Sequence, residues 1–214
     1  MRSAFLRCGA AVFLVAVFAA AGAQSVPLPG RNFLVLDAPR PASPPERIEV
    51  IEFFFYGCPV CYESQPHIAG WRDAAKADVL HIRLPSATSE GAENFALTFY
   101  ALQASGHLER LHGAVYENHH FDDLRLDDEA RLLEWLARNG VDAEAFRRLR
   151  GSSEVRSRVA AGRGIYELYK VRAVPAFVVD GRYLTSARLA GGVREMMDVV
   201  AYLVDRARQE RSAR

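Results

Sequence analysis

The sequence predicts an α/β fold that is interrupted by a block of helices, and three observations lead to this prediction. Residues 48–55 (IEVIEFFF) are β-rich and almost continuously apolar, as in a strand that is buried on both faces. Residues 90–150 instead repeat apolar side chains at helical spacing. Residues 176–184 return to a strand pattern with an Asp180-Gly181 turn, which predicts a hairpin.

The first 23 residues have the order of a secretory signal peptide. Arg2 and Arg7 come first, an apolar run over residues 10–21 follows, and the sequence AGA then provides a small-x-small cleavage site. The apolar run is shorter than the roughly 20 residues that a membrane-spanning helix needs. We therefore expect cleavage after Ala23, and an uncleaved membrane anchor is the alternative.

The remaining elements are predicted in the order β-β-α-β, helical block, β-β-α. Before the helical block we predict strands at 31–37, 48–55 and 79–84 and a helix at about 58–76. After the block we predict a helix at about 153–170, hairpin strands at 176–179 and 182–184, and a last amphipathic helix at about 193–208. Pro59 suits the first turn of the helix at 58–76. Within the block, Asn139-Gly140 marks a helix end.

Composition and charge indicate an ordinary globular protein. Half of the residues are hydrophobic and a quarter are charged. The chain has 27 lysines and arginines against 26 aspartates and glutamates, so there is no basic excess of the kind that nucleic-acid binding requires. We expect no nucleic-acid partner.

The cysteines are the most informative residues. Of three in the chain, Cys8 lies in the predicted signal peptide, so the exported protein keeps only Cys58 and Cys61. A secreted protein that is held together by disulfides would have more, spread along the chain. The two remaining sulfurs instead form one local pair at the start of a predicted helix.

This position predicts different chemistry for the two thiols. The unpaired N–H groups and the positive dipole end of the helix lie beside Cys58, which lowers its pKa from about 8.5 toward the roughly 3.5–7.5 range of such motifs. Cys58 is then the attacking sulfur. Cys61, one turn into the helix, would be the resolving sulfur.

Two other interpretations of the pair are less well supported. A zinc site would need further ligands from the six histidines, and none of them shows matching spacing. A structural disulfide over so short a loop would constrain little chain entropy. We therefore predict a redox pair and no metal site.

Three stretches resemble the DsbA family of periplasmic thiol:disulfide oxidoreductases. VIEFFFYGCPVCYESQPHI is similar to the active-site strand and helix of that family, FYALQASG to part of its inserted domain, and KVRAVPAFVVDGRYL to its substrate-binding loop and hairpin. The resemblance implies a thioredoxin-like fold with an α-helical insertion domain. Residues 24–85 and 152–214 would form the thioredoxin-like domain and 86–151 the inserted domain.

The resemblance also implies roles for individual residues. The nucleophile of the family falls on Cys58, its resolving thiol on Cys61, and its cis-proline on Pro175. Its buried acid falls on Glu52, where a carboxylate in an apolar strand is costly unless it has a role. The basic partner of that acid falls near His81.

Pro59, Val60 and Val174 are expected to contact the substrate. Val60 departs from the usual Pro-His dipeptide of the family and cannot supply an imidazolium to the Cys58 thiolate. We therefore expect a milder oxidant than relatives with Pro-His.

These observations predict a periplasmic, monomeric dithiol oxidase. It would pass the Cys58–Cys61 disulfide to reduced exported proteins through a mixed disulfide, without any other cofactor. The resemblance implies reoxidation by a DsbB-like membrane protein and its quinone. The alternatives are a reductase or isomerase of the same fold, or a non-catalytic chaperone. Against an isomerase, residues 31–45 are too short for a dimerisation domain, and Val174 stands where isomerases and thioredoxins tend to carry threonine or isoleucine.

Overall fold

The computed structural model describes residues 26–37, 40, 46–122 and 124–213 of the 214-residue chain. Within these ranges it contains a five-stranded mixed sheet and eight helices. The predicted signal peptide and its cleavage site lie outside the described residues. None of the helices in the described part of the chain is long and apolar enough to cross a membrane.

The sheet has the order β1-β5-β4-β2-β3. Its strands are β1 (Leu34–Val35), β2 (Ile48–Phe54), β3 (Val79–Pro85), β4 (Ala176–Val179) and β5 (Tyr183–Ser186). Strands β2 and β3 are parallel, and the other neighbours are antiparallel. The predicted strands are confirmed, although the first is shorter than expected.

The helices confirm the predicted interruption of the α/β pattern. They are α1 (Pro59–Ala74), α2 (Glu90–Ala104), α3 (Leu108–Phe121), α4 (Glu129–Arg138), α5 (Ala143–Arg150), α6 (Ser153–Leu168), α7 (Ala187–Ala190) and α8 (Val193–Ser212). Helices α2 to α5 form the block between β3 and α6. The sequence did not predict α7, a single turn whose Leu189 N–H donates to the Ser186 hydroxyl at the N-cap.

The predicted hairpin forms, but its second strand begins one residue later than expected. Asp180 and Gly181 both have positive φ angles, 54° and 63°. The Arg182 N–H donates to the Val179 carbonyl at 3.0 Å, which closes the turn. Arg182 therefore belongs to the turn, and β5 starts at Tyr183.

Two main groups of buried side chains pack around strand β2. One group lies between the sheet and α8 and includes Val50, Phe177, Met196 and Leu203. The other joins the end of β2 to the helical block and includes Cys61. Cys58 and Cys61 thus lie where the sheet meets the inserted helices.

Candidate active site

The turn between β2 and α1 positions the cysteine pair. After β2 ends at Phe54, the Cys58 N–H donates to the Phe55 carbonyl at 3.0 Å. A Cβ on residue 57 would come within 2.7 Å of the Phe55 ring, so any residue other than Gly57 would displace that ring. Pro59 is the first residue of α1, and Cys58 is its N-cap.

Cys58 is surrounded by hydrogen-bond donors that favour its thiolate. A hydrogen bond from the Cys61 thiol is the strongest of these contributions, followed by the backbone N–H groups of Cys61 and Val60. The Cys61 nitrogen lies 3.3 Å from Cys58 Sγ. Together they lower the pKa of Cys58 to about 6, against the opposing effects of partial burial and of the nearby Glu63 carboxylate.

Cys61 has the opposite character. It is completely buried, whereas Cys58 is half-buried, and both are free thiols. Its hydrogen bond to Cys58 and its burial both raise the pKa of Cys61 far above the ordinary range of a thiol. One sulfur is therefore accessible and acidic, and the other is inaccessible and protonated.

The loop that precedes β4 faces Cys58 from the opposite side. The Val174–Pro175 peptide bond is cis. The Val174 carbonyl oxygen lies 3.7 Å from Cys58 Sγ and accepts a hydrogen bond from the thiol form. The structure thus brings Val174 to Cys58, 116 residues away along the chain.

Glu52 lies beneath the cysteine pair and is completely buried. Its Oε2 is 2.9 Å from Nε2 of His81, the separation of an ion pair, although neither atom makes a well-aligned hydrogen bond. Burial alone would raise the pKa of Glu52. The contact with His81, with smaller contributions from His112 and Arg83, reverses this effect and leaves the pKa below its ordinary value.

Gln65 connects Glu52 to the cysteine helix, and sequence reasoning missed it. Its Nε2 donates to the Cys61 carbonyl at 3.1 Å and lies 3.5 Å from Glu52 Oε1. Gln65 follows Cys61 by one helical turn, so helical spacing from the cysteine could have identified it.

The inserted helices add a second buried polar contact that the sequence analysis did not identify. The Tyr56 hydroxyl and Nδ1 of His112 in α3 share a hydrogen bond of 2.7 Å. Burial, reinforced by Arg83, lowers the pKa of His112 to about 4, so its imidazole is neutral at pH 7. Nε2 of His112 and the hydroxyl of Tyr116 are buried without a hydrogen-bond partner among the described residues.

Pro59 and Val60, the two residues between the cysteines, lie on the protein surface. Both are exposed, and 39% of Val60 is accessible. Val60 contributes its backbone N–H to Cys58, while its side chain has no polar atom to add.

A thioredoxin-like fold with an acidic, accessible cysteine and a buried second cysteine at a helix start defines a thiol:disulfide oxidoreductase. Comparison with known proteins identifies the family. The DSBA-like thioredoxin domain matches residues 64–203, beginning just after Cys61. The chain belongs to the DsbA-like thioredoxin family.

Individual relatives extend this similarity to the cysteine region. The chain is 33% identical to the thiol:disulfide interchange protein DsbA of Azotobacter vinelandii over 184 residues, 86% of this chain and 85% of that protein. It is 36% identical to DsbA of Bordetella pertussis over 75% of this chain and 77% of the relative. The crystal structure of Pseudomonas aeruginosa DsbA is 32% identical and superposes with a TM-score of 0.81, covering 86% of this chain and 95% of the other.

The thiolate of the reduced protein should titrate with a midpoint of about pH 6, because only Cys58 has a lowered pKa. Cys58→Ser should abolish this transition in the thiolate absorbance.

Val60→His should lower the midpoint further, since an imidazole adds a donor and, when protonated, a positive charge. Each unit of lowering corresponds to about 1.4 kcal/mol and a potential about 30 mV more oxidising.

Val60→Ala is the matched control and should leave the midpoint unchanged. If Val60→His moves neither the midpoint nor the potential, the side chain at position 60 does not determine how oxidising the protein is.

Proposed function

We propose that this protein is a periplasmic dithiol oxidase that donates a Cys58–Cys61 disulfide to newly exported proteins. The observation that carries the proposal is the contrast between the two thiols, one accessible with a pKa of about 6 and one buried with a raised pKa. A disulfide between two such cysteines oxidises other thiols readily, because reduction releases a stable thiolate.

The transfer proceeds in two exchange steps. In the first, a client thiolate attacks Cys58 Sγ, the Cys58–Cys61 bond breaks, and Cys61 leaves as a thiolate that takes up a proton. In the second, another client thiolate attacks the client sulfur of the mixed disulfide and releases the Cys58 thiolate. The client loses two electrons and gains a disulfide, and the cysteine pair becomes a dithiol.

The low pKa of Cys58 favours oxidation of clients over reduction. A thiol with a low pKa is a good leaving group, so the second step is fast. The same property makes the thiolate a weaker nucleophile toward client disulfides. This argument supports an oxidase over the reductase of the same fold.

Glu52 is proposed to hold and relay the proton that Cys61 gains or loses. It is buried beneath the pair, and Gln65 connects it to the Cys61 backbone. On its other side, the carboxylate contacts His81, whose side chain is 9% exposed. Because its pKa is lowered, Glu52 is ionised at pH 7 and able to accept a proton.

The groups around Cys58 are proposed to hold the client. The Val174 backbone, beside Cys58 Sγ, is placed to pair with an extended client segment next to Pro175. Pro59 and Val60 form the exposed apolar surface on the other side of the sulfur. These backbone and apolar contacts do not require one particular side chain in the client.

The location of the protein and its reoxidation are proposed from the N-terminal sequence and from family membership. The N-terminal residues have the pattern of a cleaved signal peptide, which supports a periplasmic location. Membership in the DsbA-like family supports reoxidation of the dithiol by a DsbB-like membrane protein linked to quinone. The redox-active cysteine pair is proposed to be the only redox group of a monomeric protein.

The proposed function predicts that the oxidised protein converts a reduced dithiol peptide to its disulfide with one equivalent of protein per disulfide. Cys61→Ala should not oxidise the reduced peptide, because it has no disulfide to donate; with a peptide disulfide, its Cys58 thiolate should form a mixed disulfide that persists, because Cys61 is missing and cannot displace the peptide. Peptide oxidation is followed by mass spectrometry. Cys58→Ser should lose all peptide oxidation. If the wild-type protein oxidises no peptide and Cys58→Ser still protects unfolded clients from aggregation, the protein is a chaperone and not an oxidase.

The relay role predicts that Glu52→Gln changes the pH dependence of the step in which Cys61 must lose its proton. With glutathione disulfide as oxidant, the rate of internal disulfide formation should fall by about tenfold or more at pH 7, since general base catalysis typically contributes at least 10²-fold. This rate should also rise more steeply with pH than in the wild type. Glu49→Gln, on the same strand, is the matched control. An identical pH profile in Glu52→Gln would leave Glu52 a structural residue.

A further inference from the structure

Phe121, the last residue of α3, is unusually exposed. Its accessible fraction is 67%, higher than that of any other large hydrophobic side chain in the described ranges. A single exposed apolar residue is common on protein surfaces and needs no explanation. The position of Phe121 beside a second aromatic residue of the active-site helix distinguishes it.

That second residue is Tyr62, which connects Phe121 to the nucleophile. Tyr62 follows Cys58 by four residues, and its N–H donates to the carbonyl of this N-cap cysteine at 3.1 Å, which closes the first turn of α1. The ring centroids of Tyr62 and Phe121 are 5.3 Å apart in an edge-to-face arrangement. We call these two rings the Phe121 surface.

The end of α3 is anchored beside the cysteine turn. The preceding residue, His120, donates from Nε2 to the Tyr56 carbonyl at 2.8 Å, and its ring lies 5.4 Å from that of Tyr62. The end of α3 is thus bonded to the same turn that carries Cys58. This anchor fixes the backbone that carries Phe121 next to Tyr62.

Two carboxylates lie close to these rings along the chain. Glu117 precedes Phe121 by one helical turn, and Glu63 lies close enough to Cys58 to oppose the lowering of its pKa. Both are exposed and have no ion-pair partner among the described residues, whereas Asp122 shares a surface hollow with Arg131 and Arg138. The surface is therefore apolar with a negative margin, which is complementary to an apolar segment that also carries lysine or arginine.

We propose that the Phe121 surface binds client polypeptide next to the cysteine that is attached to Cys58, and that it favours clients with an apolar residue near that cysteine and a basic residue beside it. This inference rests on the proposed function. The client chain is the occupant because the mixed disulfide holds it at Cys58, one side chain away from the surface. Side chains four apart on a helix are about 5–6 Å apart, and an extended chain rises about 3.3 Å per residue, so the contacting client residue lies about two to four positions from its cysteine.

The expected preference is modest. Burying about 40 Å² of apolar surface at about 25 cal/mol per Å² favours the apolar client by about fivefold, equivalent to about 1 kcal/mol. An effect of this size tunes client choice without excluding other clients.

The test compares reduced dithiol peptides that differ at one residue, leucine or serine, three positions from the attacked cysteine. The wild-type protein should oxidise the leucine peptide about fivefold faster, measured by stopped flow under second-order conditions. Phe121→Ser should bring this ratio close to one, and Phe121→Leu should restore most of it. Val35→Ser removes a comparably exposed side chain from β1, at the far edge of the sheet, and should keep the ratio.

A second pair of peptides tests the negative margin. At low salt, the peptide with lysine next to the leucine should be oxidised faster than the peptide with glutamate there. This difference in rate should be smaller at high salt, and also smaller in Glu117→Gln. The thiolate titration of Phe121→Ser must match that of the wild type, which shows that Cys58 itself is unchanged.

A leucine-to-serine ratio that is the same in Phe121→Ser and in the wild type would overturn the proposal while leaving the oxidase function intact. If the wild-type protein oxidises none of the peptides, the proposed function fails and the docking surface fails with it.

Discussion

The hydrogen bonds that converge on Cys58 are the interaction on which the rest of the active site depends. Its sulfur accepts hydrogen bonds from the Cys61 thiol and from N–H groups of the first helical turn. These donors are available only because β2 stops at Phe54 and the chain turns sharply through Gly57. The strand, the turn and the helix start thus act together to place one thiolate at the surface and one thiol beneath it.

The inserted helices complete this arrangement by closing the inner side of the pair. Cys61 belongs to the same buried cluster as Tyr56 and Tyr116, so the insertion supplies much of the burial that keeps Cys61 protonated. The hydrogen bond between Tyr56 and His112 holds α3 against the active-site turn. The same helix then ends at Phe121, beside the opening to Cys58. The insertion therefore serves both the chemistry of the cysteines and the surface that surrounds them.

Local patterns in the sequence were enough to predict the elements and the cysteine pair, because apolar periodicity and helix-end chemistry depend on near neighbours. The apolar run at 48–55 corresponds to β2, and the CxxC spacing correctly predicted that both cysteines lie at the first turn of a helix. Contacts between distant parts of the chain could not be predicted in this way. Tyr56 and His112 are 56 residues apart, and only the packing of α3 against the sheet shows that they meet. The start of β5 was misplaced because Arg182 closes the turn through its backbone, which its side chain does not reveal.

The central claim, that the reduced protein is stabilised by an ionised Cys58 above a buried and protonated Cys61, is tested most directly by the reduction potential as a function of pH. Below about pH 6, where both thiols are protonated, reduction takes up two protons with two electrons, and the potential should fall by about 59 mV per pH unit. Above about pH 6 only Cys61 takes up a proton, and the slope should decrease to about 30 mV per pH unit up to pH 8. A slope that stays near 59 mV across this whole range would show that Cys58 is not ionised and would contradict the account.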